Sequence, residues 1–248
     1  MSSTAWAWVS IAGLFLFGVA LALVYSHFQR NRHFGWARFA ARVAIFAAIS
    51  TILYVVPIFQ IHLSFVPGFM SLHFDEVPAM IAGYAYGPLV GEMVILVKTL
   101  IKLPTSSTMC VGELADFLFS TAYVLPATWI YKKIRNMKGV FIGFGVATAL
   151  QVAVAMTLNV YMILPFYIFM IGLSADEILA MCQKAMPQIQ DLGWSYAFFG
   201  VMPLNLIKDA SVFAITFIVY RSIRKVLHWE DAPAAISPSH PSENKTEK

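Results

Sequence analysis

The segment Asn205-Leu206-Ile207-Lys208-Asp209 sets an amide, an ammonium and a carboxylate within an apolar stretch running from about Tyr196 to Tyr220. A charge at bilayer depth costs at least about 2.5 to 3.5 kcal/mol on insertion scales, so such groups face a cavity, a partner or a ligand. Positions i, i+3 and i+4 share one helical face, which puts Asn205, Lys208 and Asp209 together. An Asn amide both donates and accepts hydrogen bonds, while Lys only donates. The chemistry offered is recognition of a polar ligand.

Other groups suggest further chemistry. His62 and His73 precede Asp75 and Glu76, a set that suggests metal ligation, yet it has neither the motif nor the compact spacing of a metal site. A loop that covers a ligand is the better reading. Lys98 and Lys102 are i, i+4 on one predicted helix, and Glu113 and Asp116 are i, i+3 at the start of the next. Those pairs either neutralise one another or snorkel, or else they form the polar wall of an outward-facing site. Gly-x-Ser-x-Gly, His-Glu-x-x-His and Walker A motifs are all missing from the sequence. An intramembrane enzyme built from Glu113, Asp116, Lys208 and Asp209 is the alternative from a different class, but no nucleophile and base pair is legible.

The elements that must position these groups are membrane helices. Hydrophobic residues make up 59% of the chain and charged ones 12%, with a mean hydropathy of +0.72, whereas soluble domains carry about 25% charge. Apolar runs cover about Trp6 to Phe28, Trp36 to Ile58, Val111 to Ile134, Val140 to Leu173 and Tyr196 to Tyr220. The fold class is all-α and polytopic. Between Val77 and Leu103, Gly83, Gly87, Pro88 and Gly91 interrupt the run, which reads as one kinked helix or a hairpin of two short ones. Val140 to Leu173 is too long for a simple span. It extends outward beyond Asn159 or bends near Pro165.

The net charge of +4 does not indicate nucleic acid, because the basic residues cluster beside the spans: Arg30, Arg32, Arg38 and Arg42, then Lys132, Lys133, Arg135 and Lys138, then Arg221, Arg224 and Lys225. Such clusters mark the cytoplasmic side. All three fall on that side only if Val77 to Leu103 crosses twice. Seven helices follow, with the N-terminus outside and the C-terminus cytoplasmic. Met1 to Ala5 lacks a positive n-region, so the first helix reads as a retained anchor rather than a signal peptide. The chain divides into an N-terminal anchor with its basic loop (1–34), a membrane domain (35–228) and a Pro- and Ser-containing disordered tail (229–248).

Ala40, Ala44 and Ala48 recur every four residues, beside Ala37 and Ala41. Small residues at this spacing let another helix approach closely, either within the chain or from a transmembrane partner. Cys110 and Cys182, the two cysteines, fall on predicted outer loops. They read as two independent residues, with pairing open in an oxidising exterior.

Four stretches occur in order: His73-Phe-Asp-Glu-Val-Pro-Ala-Met-Ile-Ala-Gly-Tyr-Ala-Tyr-Gly-Pro-Leu89, Ser107-Thr-Met-Cys-Val-Gly-Glu-Leu-Ala-Asp-Phe117, Leu158-Asn-Val-Tyr161 with Leu164-Pro-Phe-Tyr167, and Pro203-Leu-Asn-Leu-Ile-Lys208. Together they resemble the riboflavin-binding S components of energy-coupling factor (ECF) vitamin transporters, over most of Trp36 to Leu227. The resemblance implies a six-helix substrate-binding core, here with one extra N-terminal transmembrane helix, in a bacterial cell membrane. It implies work with a transmembrane coupling protein and two cytoplasmic ATPases, riboflavin as transported ligand, and no catalytic cofactor. By motif position Asn159, Asn205 and Lys208 are implied to contact the ligand, with Gly112 on the adjoining loop. Ala40, Ala44 and Ala48 are implied to dock the coupling protein. Tyr161, Phe166 and Trp194 are candidates to cover a flat ring. Asp116 stands where the family more usually has Asn, and Asp209 where Gly is common; Asp209 is thereby a candidate to pair with Lys208 or alter ligand choice. The same scaffold serves several vitamins, so another vitamin or small heterocycle is the sister reading.

Overall fold

The computed structural model describes residues 35–61, 72–106, 108–172 and 174–227. The expected anchor helix Trp6 to Phe28, His62 and the tail lie outside them. Among the described residues the chain is helical, with one isolated antiparallel bridge between Ile61 and Leu72. The helices are α1 (Trp36–Val55), α2 (Glu76–Tyr86), α3 (Pro88–Lys102), α4 (Val111–Lys133), α5 (Met137–Leu158), α6 (Leu164–Ile171), α7 (Ala175–Ala185) and α8 (Met202–Leu227). Trp36–Val55, Met137–Met170 and Trp194–Ser222 are long and apolar enough to cross a membrane. Ile45, Ile49 and Ile52 on α1, Phe141, Ile142 and Leu150 on α5, and Ile218 on α8 are exposed, as lipid-facing residues must be.

The interrupted stretch is a hairpin of two helices. Gly87 turns it at φ 106°, ψ 160°, and Pro88 opens α3, where its missing N–H costs nothing. A φ of that sign is open to Gly and strained for side chains. At 11 and 15 residues the two helices are about 16 and 22 Å long, short of a hydrocarbon core of about 30 Å. α2 begins at Glu76 and every residue from Glu76 to Tyr84 is buried. It is therefore the centre of the bundle, packed against α1, α3, α4 and α8. Small residues make this possible: a Cβ on Gly91 would lie 2.9 Å from the Ala79 carbonyl, and one on Gly143 would lie 2.8 Å from that of Ala127.

The long stretch after Val140 remains helical through Pro165, by way of one wide turn at Asn159–Ile163 in which the Leu164 N–H reaches back to the Asn159 carbonyl. A second wide turn, Ala197–Val201, follows the single turn Trp194–Tyr196 and leads into α8, with the Met202 N–H bonded to the Ala197 carbonyl. Each wide turn is followed within two residues by a proline, Pro165 or Pro203. A proline ring crowds the carbonyl four residues back and supplies no N–H, so the helix widens there instead of breaking. The two wide turns touch each other.

α7, not expected from the sequence, lies between α6 and the turn before α8. Ser174 and Glu177 form a reciprocal capping box at its start. Its Ile178 and Cys182 pack with Ile189, Tyr196 and Leu164 in a second core at one end of the bundle. Cys182 thus sits on a helix rather than a loop. Cys110 holds a left-handed conformation just before α4, and both thiols are free and buried.

Candidate functional site

The polar groups of five helices meet inside the bundle. Lys208 on α8 pairs with Glu76 at the start of α2, Nζ to Oε1 2.5 Å. The Ser120 hydroxyl on α4 donates to the same carboxylate oxygen at 3.1 Å. On α3, Lys98 is wholly buried and pairs with Asp75 and, at 3.0 Å, with Asp116 on α4. It also lies within 3.3 Å of the Ser120 hydroxyl, which joins the two groups of charges. α1 closes the set: Ser50 donates to the Asp75 backbone carbonyl at 2.5 Å, and the Tyr54 ring lies 4.7 Å from the Lys98 ammonium. A buried ion pair survives where further hydrogen bonds offset the desolvation of its charges, and the Ser120 hydroxyl supplies part of that here.

A second polar line runs beside it. Gln151 on α5 donates to the Asn205 carbonyl oxygen at 2.7 Å, and the Asn205 amide donates to the Val201 carbonyl at 2.8 Å. The Asn159 amide donates to the Ala155 carbonyl, also at 2.8 Å. Asn159 opens the first wide turn, and Asn205, in the first turn of α8, bonds back to Val201, the last residue of the second; such turns occur frequently at functional sites. The Gln151 carbonyl oxygen and the second oxygen of Glu76 are buried without a hydrogen-bond partner, which leaves acceptors unused along this line.

Several expectations change. Lys208 turns to Glu76 rather than to Asp209, whose buried carboxylate has one oxygen without a partner. Of the two basic and two acidic groups expected to neutralise one another, only Lys98 and Asp116 pair. Glu113 instead accepts from the hydroxyls of Ser106 at 2.7 Å and Thr108 at 2.9 Å, while Lys102 lies 5.8 Å from the Tyr54 ring. Asp75, in the turn before α2, and Glu76, its first residue, are both buried in the core. Among the described residues no group of three His, Cys, Asp or Glu side chains suits a metal.

Gly112 lies in the first turn of α4, its N–H donating to Thr108 Oγ1 at 3.1 Å; a Cβ there would come within 2.6 Å of that oxygen. Of the candidate aromatics, Phe166 is buried, whereas Tyr161 and Trp194 are exposed. Ala40, Ala44 and Ala48 are exposed along α1, and Ala37 and Ala41 with them, while the opposite face buries Val43, Phe46, Ala47 and Ser50. Among the described residues nothing packs on the alanine row, so it is not internal packing between these helices. Sequence reading passed over Gln151. The signal was available, because a lone amide in the apolar run of α5 meets the criterion that singled out Asn205.

A multi-pass helical bundle with a buried polar site and, among the described residues, an exposed small-residue helix face has the architecture of a membrane-embedded binding subunit. The chain belongs to the ECF transporter substrate-specific component family, whose family model matches residues 38–220, and that family works within ECF transporter complexes. Among relatives, the riboflavin transporter RibU of Staphylococcus aureus (strain TCH60) is 28% identical over 188 residues, covering 75% of this chain and 92% of its own. The riboflavin transporter FmnP of Bacillus subtilis (strain 168) is 27% identical over 184 residues, covering 71% and 90%. A solved structure described as the S component of a bacterial ECF transporter superposes with a TM-score of 0.60 at 25% identity, covering 77% of this chain and 98% of that one.

Proposed function

We propose that this protein is the riboflavin-binding S component of an ATP-driven vitamin importer. The observation that carries the substrate is the match to relatives named riboflavin transporters over 92% and 90% of their own lengths. The side chains support it: Asn159, Asn205 and Lys208 are all buried on the two segments with wide turns or their continuation. An amide can address both donors and acceptors on a pyrimidine edge, and an ammonium can address carbonyl or hydroxyl oxygens. Gly112 joins them by motif position, and its missing side chain leaves room for the Thr108 hydroxyl. The ligand enters from outside, the end where α2 and α4 begin, and the basic ends of α4 and α8 face the cytoplasm.

The partners in this reading are a transmembrane coupling protein, which docks on the row Ala40, Ala44 and Ala48, and two cytoplasmic ATPases. An exposed small-residue row is what close helix approach in lipid requires. The test of the substrate is direct. Detergent-purified protein should quench riboflavin fluorescence at micromolar concentration and release unchanged riboflavin on extraction, as read by mass spectrometry. Unquenched fluorescence would sink the assignment, and a different extracted vitamin or heterocycle would replace it.

A further inference from the structure

At the end of the bundle away from the polar site, a cavity of about 400 Å³ opens where α4, α5 and α8 outrun the short hairpin. Its walls include Tyr84, Tyr131 and Tyr220 together with Phe217, and its rim carries Arg135 and Arg221. The hairpin accounts for the space. α2 ends at Tyr86, whereas α4 continues past Tyr131 to Lys133 and α8 past Tyr220 to Leu227. The three tyrosine rings meet there, Tyr84 lying 5.0 Å from Tyr131 and 5.8 Å from Tyr220 between centroids. Tyr84 is only 8% exposed and its buried hydroxyl has no hydrogen-bond partner.

Among the described residues the charge in the cavity is uncompensated. No acidic residue lines it, and among the described residues neither guanidinium is paired with a carboxylate. Asn136 caps the start of α5 at the same rim, so the positive end of that helix dipole adds to the field. Guanidinium groups match phosphate oxygens in geometry and charge. On the apolar side the wall continues to lipid: Phe217 lies 6.3 Å from Phe141, which is exposed on α5.

We infer that this cavity binds an organophosphate anion through Arg135 and Arg221, with the aromatic wall and exposed Phe141 favouring a lipid that brings acyl chains. Basic pockets between membrane helices on the cytoplasmic side take anionic headgroups in this way. The inference rests on the orientation proposed above but not on riboflavin as substrate, and its readout is separate from flavin binding.

The full chain, reconstituted in phosphatidylcholine nanodiscs, is titrated with spin-labelled phosphatidylglycerol and, separately, challenged with glycerol 3-phosphate. Retention of phosphatidylglycerol over phosphatidylcholine, weakened roughly tenfold in the Arg135→Gln/Arg221→Gln protein, supports the site with a lipid as its source. Displacement by glycerol 3-phosphate as effective as by the lipid supports the phosphate site with a soluble source. Binding of neither ligand above the phosphatidylcholine background overturns the site, as does equal retention by the double variant. Gel filtration and circular dichroism confirm that the variant is folded, and Tyr131→Leu, which keeps both arginines, should weaken retention by a smaller factor.

Discussion

Lys208 meets Glu76 inside the bundle, so a ligand that uses its ammonium must share or displace that contact. Two outcomes separate binding from structure. Asn205→Ala should weaken riboflavin binding several-fold to tens of times, since a lost hydrogen bond costs about 0.5 to 1.5 kcal/mol and more where a partner is left unsatisfied. Gln151 is that partner here. Lys208→Ala should weaken binding at least as much, measured by flavin fluorescence quenching.

The same charge has a stability role. Lys208→Met leaves Glu76 buried and unpaired, a loss on the order of 3 to 5 kcal/mol. Adding Glu76→Gln should recover most of the lost thermal stability without restoring riboflavin binding. Recovery of both would mean that Lys208 acts only as the counter-ion. At this scale Asn205 and Lys208 were legible in the sequence because a polar group in an apolar run must be accounted for. Asp75 and Glu76 were not, because they stand at the start of a helix, where a carboxylate is ordinary, rather than inside an apolar run.

Among the elements, the α2/α3 hairpin does most to position the charges, since Asp75, Glu76 and Lys98 all lie on it or at its start. Its helices touch at Gly91, where added atoms would meet the Ala79 carbonyl and the Gly83 Cα within 2.9 and 3.1 Å. Gly91→Val should therefore separate α2 from α3 and lower thermal stability by about 1 to 3 kcal/mol. Flavin binding should fall with it. Unchanged melting would show that the helices can part without cost. Breakers at Gly87 and Pro88 made a turn foreseeable, and the basic clusters required it to reverse the chain.

α7 is held by local chemistry. Hydrogen bonds from the Ser174 backbone and hydroxyl hold the Glu177 carboxyl below its ordinary value. The folded value being depressed, this contribution is present above the unfolded carboxylate range and fades as pH falls through the folded value. Ser174→Ala should cost about 1 kcal/mol in α7, seen as faster hydrogen exchange of its first-turn amides. The wide turns at Asn159 and Ala197 were only partly foreseeable. Pro165 and Pro203 announce a disturbed ladder, but not whether the helix bends, breaks or widens, which depends on the helices packed around it.

For the whole molecule, orientation and docking can each be measured. In a background without Cys110 and Cys182, an impermeant thiol reagent added outside should label Asp176→Cys on exposed α7 and leave Lys138→Cys untouched. Labelling of the latter would invert the topology. Ala44→Trp should block complex formation and uptake while the isolated subunit still binds riboflavin, because Ala44 faces away from the core. Loss of riboflavin binding in that variant would instead assign the row to the packing of this chain.

The sequence alone determined that the chain is an all-α membrane protein and where the long helices among the described residues lie, and it set the crossing sense that the labelling experiment tests. Those properties follow from run length, backbone satisfaction in lipid and the placement of Lys and Arg, all of which are local quantities summed along the chain. Only the tertiary structure decided which charge meets which: Lys208 with Glu76, Lys98 with Asp75 and Asp116, Glu113 with two hydroxyls. Lys208 and Glu76 stand far apart in sequence and are equally plausible partners for other buried charges. Their pairing is fixed by the short, small-residue hairpin at the centre of the bundle. Because α2 packs directly against α8, the carboxylate at its first turn falls within reach of the ammonium, and the desolvation cost of both charges enforces the match.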